Sequence, residues 1–153
     1  MGAPASRPHA VLFACGLNSV RSPMAAALLK RMLGASLYVG SAGVRKGELD
    51  PFAVAAMAEI GLDISKHKPV TFEELDEWEG LNFDLIITLA PEAHHRALEL
   101  TRTSGVDVEY WPTGDPTVTE GSREQRLDTY REIRDQLLGR IRQRFSRPSP
   151  GNE

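Results

Sequence analysis

The chain has 153 residues and a mass of 16.8 kDa, the size of one compact domain, since domains most often span about 100–150 residues. Hydrophobic residues make up 41% and charged ones 25%, near the globular norm, which excludes disordered and fibrous classes. With 18 basic against 21 acidic residues the net charge is −3; no strong positive field exists to hold nucleic acid or a membrane surface, so any bound anion must be gripped locally.

Residues 1–8 are small, Pro-containing and aperiodic, and read as a loose arm ahead of a single domain over 9–145. Val11 to Ala14 is a continuous apolar run, the mark of a strand covered on both faces. With Arg7 it superficially imitates a secretory signal, but Asn18 and Arg21 cut the apolar stretch short. From Ser22 a helix is expected, with Ser22 as cap, Pro23 at the tolerant first position, and Met24, Leu28, Leu29 and Met32 at helical spacing. Ser36 to Gly40 reads as a second strand, and Ser41-Ala42-Gly43 as the start of a Gly-bearing loop.

Asp50-Pro51 repeats the cap-plus-proline start of a helix that runs to Gly61. Thr71-Phe72-Glu73-Glu74 is a capping box that opens a short helix through Trp78. Phe83 to Leu89 is a β-branched, apolar strand; Pro91-Glu92 starts a helix to about Ser104; Val106 to Trp111 is a fourth strand. Leu127 to Phe145 spaces an amphipathic closing helix, and 146–153 is a polar tail. Alternating strands and helices predict an α/β fold of three α/β/α layers on a four-stranded parallel sheet, with ligands beyond the carboxyl ends of the strands.

The loop after the first strand reads Cys15-Gly16-Leu17-Asn18-Ser19-Val20-Arg21-Ser22. Backbone N–H groups that curl into a helix N-terminus form an anion nest. Arg21 adds a planar fork for two oxygens of a tetrahedral oxyanion, and the same field favours Cys15 as thiolate. A bare Cys-x5-Arg occurs by chance. Here the preceding strand, Ser22-Pro23 behind it, and Asn18 at a position that tolerates left-handed backbone all agree. Attack of a thiolate on a phosphoryl ester expels an alkoxide or phenoxide, so a general acid is required, and Asp115 of Asp115-Pro116 is the best placed. The sole cysteine excludes an intramolecular disulfide and a multi-cysteine metal cluster, and it suits a cytoplasmic protein. No metal or cofactor is expected.

His94 and His95 adjoin on one helix and cannot form an i, i+4 metal pair. His67, between Lys66 and Lys68, reads as part of a solvated basic loop, Trp78 and Trp111 as packing residues, and the arginines of the last helix as its solvated face.

These residues resemble the low-molecular-weight protein tyrosine phosphatase family, which includes related arsenate reductases. The likeness spans Val11 to about Phe145: the Cys-x5-Arg-Ser loop with Asn18, then Ser41-Ala42-Gly43, then Asp115-Pro116. It implies Cys15 as nucleophile, Arg21 as transition-state clamp and Asp115 as general acid. It implies phosphate binding by Gly16, Leu17, Asn18, Ser19, Val20, Arg21 and Ser22, with Ser22 bonded to the thiolate and Asn18 and Ser41 bracing the loop.

This chain departs from the family pattern at three places. Leu17 stands where members carry glycine, Val20 stands where many carry a second cysteine, and Gly47 and Thr117 occupy the places of the aromatic pocket walls. The expected substrate is a phosphorylated protein or small phosphomonoester. The alternatives are arsenate, reduced with an external small thiol because Cys15 is alone, or non-catalytic binding of an oxyanion or partner.

Overall fold

The computed structural model describes residues 8–146; the arm over 1–8 and the tail over 146–153 lie outside them apart from Pro8 and Ser146. Four strands, β1 (Ala10–Cys15), β2 (Tyr38–Gly43), β3 (Leu85–Thr88) and β4 (Asp107–Tyr110), form one parallel sheet in the order β2-β1-β3-β4. Between and after them run α1 (Arg21–Leu33), α2 (Pro51–Ala58), α3 (Phe72–Glu79), α4 (Pro91–Leu100), a 3₁₀ turn (Pro116–Val118) and α5 (Arg123–Phe145).

The alternation of β1 builds the layers. Val11, Phe13 and Cys15 enter a core shared with α1, α2 and α5, and Leu12 and Ala14 enter a second one shared with α3 and α4. All five are buried, and burying a side chain the size of Phe13 or Leu12 contributes about 1.5–3 kcal/mol. Strand order reverses between β1 and β3, so the crevice beyond their carboxyl ends lies between the loop after Cys15 and the start of α4.

Several expectations change. β2 runs from Tyr38 to Gly43, so Ser41-Ala42-Gly43 is strand, paired residue for residue with Phe13, Ala14 and Cys15. Parallel pairing with a buried neighbour overrides the loop preference of the glycines. Helix α1 starts at Arg21 with Val20 in the cap position and no side-chain cap, so Ser22 is not a cap. Trp78 is 63% exposed, whereas Trp111 is buried against Phe13. The caps at Asp50 and Thr71 form as expected, and α5 begins earlier than its apolar spacing implied, on a Ser122–Gln125 capping box. Its arginines are not uniformly solvated: Arg134 is buried and bonds Glu59, Asp135 and the Ala56 carbonyl.

Candidate active site

The loop after β1 is held by its carbonyls. Val44 N–H donates to Cys15 O, Arg45 N–H to Gly16 O, Gly47 N–H to Leu17 O and Asp50 N–H to Ser19 O, at 2.9–3.2 Å. His67 Nε2 lies 3.2 Å from Asn18 O, and Met24 N–H reaches Val20 O at 3.1 Å. Every carbonyl from Cys15 to Val20 thus faces an outside donor, four of them on the segment that extends β2. Among the described residues no amide N–H from Gly16 to Arg21 is taken by a protein acceptor. The uncapped end of α1 adds its partial positive charge to these amides, so the loop presents donors inward and is a seat for an oxyanion.

Two glycine-related features permit this curvature. Asn18 alone among the described non-glycine residues has a positive φ, 56°, a region asparagine tolerates. Leu17 takes no such angle, so its side chain costs the loop nothing. A Cβ at Gly43 would fall 2.5 Å from Arg45 O, 2.9 Å from Asn18 N and 3.0 Å from Gly16 O, all main chain. The contribution of Ser41-Ala42-Gly43 is therefore the bare backbone of Gly43 against the loop. No side-chain hydrogen bond among the described residues ties Ser41 to it.

Behind the loop a directional chain of hydrogen bonds ends on sulfur. Asn18 Oδ1 accepts from Val70 N–H at 2.9 Å and from His67 Nε2 at 3.1 Å. Asn18 Nδ2 donates to Ser22 Oγ at 2.8 Å, and Ser22 Oγ lies 3.0 Å from Cys15 Sγ. Because His67 Nε2 faces two oxygens, it carries the ring proton. Asn18 donates to Ser22 Oγ, which leaves the Ser22 hydroxyl hydrogen free to reach Cys15 Sγ. Burial holds the His67 pKa below its usual value, against the hydrogen bond to Asn18, and the nearby Lys30 charge pushes the same way as burial.

The cavity in front has a volume of about 130 Å³ and is lined by Cys15, Gly16, Leu17, Ser19, Val20, Arg21, Arg45, Glu92, Asp115 and Thr117. Asn18 and Ser22, expected among the phosphate-binding residues, are fully buried behind this wall and act as its support. Arg21 Nη1 donates to Thr113 O at 2.9 Å, which fastens the guanidinium to the segment that carries Asp115. Asp115 caps the 3₁₀ turn, its Oδ1 accepting from Thr117 N–H at 3.0 Å and Thr117 Oγ1 at 2.7 Å. These bonds fix the carboxyl group and leave Oδ2 for the cavity.

At the mouth, Arg45 and Glu92 form a two-pronged ion pair of 2.8 and 3.1 Å. A Cβ at Gly16 would meet Glu92 Oε1 at 2.5 Å, so the carboxylate sits directly over that glycine. A Cβ at Gly47 would lie 3.3–3.7 Å from the Leu17 side chain, so Leu17 fills the room beside Gly47. The expected Cys15, Arg21 and Asp115 are thus brought together. His67, Arg45 and Glu92 were not foreseen as site residues.

Residues 10–147 match the family model for low molecular weight phosphotyrosine protein phosphatases. An arsenate reductase of Bacillus subtilis is 34% identical over 133 residues, which cover 87% of this chain and 92% of the relative. A solved arsenate reductase in its phosphate-binding state superposes with a TM-score of 0.71 at 28% identity, over 88% of this chain and 94% of that one. The arginine phosphatase YwlE, solved as a cysteine-to-serine mutant with its active-site serine phosphorylated, gives 0.70 at 25% identity, over 88% and 91%.

Proposed function

This chain belongs to the low molecular weight phosphotyrosine protein phosphatase family, and from that premise we propose that it is a cysteine-dependent phosphatase working through a cysteinyl-phosphate. The single observation that carries the reading is the hydrogen-bond chain that runs from Asn18 through Ser22 Oγ to Cys15 Sγ at the floor of a cavity lined by Arg21 and Asp115. The Cys15 thiolate attacks phosphorus in line, while the loop amides and the Arg21 fork hold the equatorial oxygens. As the phosphorus–oxygen bond breaks, Asp115 gives its proton to the leaving oxygen. The resulting carboxylate then takes a proton from water, which attacks phosphorus, breaks the sulfur–phosphorus bond and frees phosphate. The phosphorylated serine that replaces the active-site cysteine in a mutant of the similar arginine phosphatase supports a phosphoenzyme on this scaffold. Polar and aliphatic walls in place of aromatic ones argue against a pocket specialised for stacking on a phosphotyrosine ring.

The relatives named arsenate reductase favour a second reading. Arsenate would occupy the same amides and esterify Cys15. Its reduction from arsenic(V) to arsenic(III) takes two electrons, supplied when two thiols become a disulfide. The sequence holds one cysteine, so one of the two thiols must come from outside, and for this reason the phosphatase reading is preferred. One pair of assays separates them: turnover of para-nitrophenyl phosphate, and loss of arsenate dependent on added thiol, each against Cys15→Ser. Ester turnover that vanishes in the variant supports the first; arsenate loss without ester turnover overturns it.

A further inference from the structure

A second cavity, about 340 Å³ in volume, is lined by Pro51, Phe52, Arg123 and Arg126. The guanidinium carbons of Arg126 and Arg123 lie 4.7 and 5.5 Å from the centre of the Phe52 ring, which is itself stacked on Tyr130. Two cations are thus drawn to one aromatic ring three residues apart, in the first turns of α5, where the helix dipole favours acids. Neither guanidinium takes an ion pair or a hydrogen bond with any described residue, although Arg126 is half-buried. Two nearby carboxylates are engaged elsewhere. Glu124 pairs with Arg131, and Asp50 accepts from Phe52 N–H and from the Tyr130 hydroxyl. Like charges gathered at a positive helix end without a counter-ion are electrostatically costly, and an oxyanion in the cavity relieves that cost.

The cavity has no lining residue in common with the catalytic pocket, but the chain joins the two on either side. On one side Asp50, the cap before Pro51 and Phe52, donates its N–H to Ser19 O of the phosphate loop. On the other, Asp115 leads through the 3₁₀ turn and Ser122 into Arg123. Between them the Tyr130 hydroxyl, whose pKa is raised chiefly by burial, feels the charges of both Asp115 and Arg126, in opposite senses. We propose that this cavity is a second oxyanion subsite, in which Arg123 and Arg126 hold an acidic side chain of the substrate that flanks the phosphate seated on Cys15. The inference rests on the phosphatase reading and narrows its substrate to acidic phosphopeptides.

The test compares two phosphotyrosine peptides, one with glutamates on both sides and one with glutamines, with para-nitrophenyl phosphate run alongside. Phosphotyrosine serves as probe because an aryl oxygen is easily expelled. In the unsubstituted protein kcat/KM for the glutamate peptide is expected to exceed that for the glutamine peptide about tenfold, chiefly through KM, and the preference shrinks as salt is raised. In the double variant Arg123→Gln, Arg126→Gln the two peptides become equal to within about twofold, whereas the double lysine variant, which keeps both charges, retains most of the preference. Each ratio comes from one preparation, so partial unfolding cancels. A wild-type protein indifferent to the flanking charge, or a preference that survives in the glutamine variant, overturns the subsite and leaves the phosphatase reading standing. Absence of para-nitrophenyl phosphate turnover removes that reading and the subsite together.

Discussion

The floor and the mouth of the catalytic pocket are built on opposite principles. On the floor, Asn18 and Ser22 are wholly buried and Cys15 is 2% exposed, and each polar atom there has a partner whose direction follows from the next one along. At the mouth, Leu17 is 43% exposed and the Arg45–Glu92 pair stands largely in water, where solvent screens such pairs and they add little. Under the proposed phosphatase reading, the floor meets the tetrahedral oxyanion common to all phosphoryl substrates through main-chain groups that leave little to alter, and the mouth meets only the leaving group and can differ without disturbing the chemistry.

Substitutions rank accordingly. Cys15→Ser removes the nucleophile and should lower kcat for para-nitrophenyl phosphate by about 10⁴-fold or more, measured against the unsubstituted protein; residual turnover above that level would break the comparison at its root. Asp115→Asn takes away the proton donor and should cost about 10²–10⁴-fold. The loss should be smallest for leaving groups that need no proton, so a series of phenyl phosphates of graded acidity reads the role directly.

Ser22→Ala deletes a hydrogen bond to a charged acceptor, about 1.5–3 kcal/mol, and should slow the formation of the phosphoenzyme about 10–150-fold in stopped-flow measurements, with little change in phosphate affinity. His67 tests the support behind the floor. Its pKa is lowered in the folded protein, so the unfolded chain binds the extra proton first, and the histidine's contribution to stability is lost as pH falls through about 6.5. Urea titrations at pH 7.5 and 5.5 should show that loss, and His67→Gln should flatten it. Smallest of all, Glu92→Gln should alter kcat/KM for para-nitrophenyl phosphate by no more than about threefold and leave the thermal unfolding midpoint nearly unchanged.

The parts legible in the sequence are those whose signals are local. A strand, a Cys-x5-Arg loop and a helix start are contiguous, so chain order alone brings Cys15 and Arg21 together, and Asp115 followed because the carboxyl ends of parallel strands share one edge. Ser22 carried two readings: beside Pro23 a serine looks like a cap, which the fold does not bear out, whereas the contact with sulfur, expected from the family resemblance alone, is present at 3.0 Å. His67 stands 49 residues from Asn18, flanked by lysines that suggest solvent, and nothing nearby in the chain marks its partner. The donors at Val44, Arg45, Gly47 and Asp50 are main-chain groups with no side-chain signature. Ser41 drew attention through its hydroxyl, while the structural demand belongs to its neighbour two places on.

That neighbour, Gly43, has its would-be side-chain position blocked by three main-chain atoms, none of which has a rotamer to swing aside. At Gly16 the obstacle is only the tip of Glu92. In a lineage descended from this protein, position 16 can therefore accept a methyl group once residue 92 shortens, a two-step route with a permissive first mutation. Position 43 has no such route, and drift that preserves the chemistry must run along the rim.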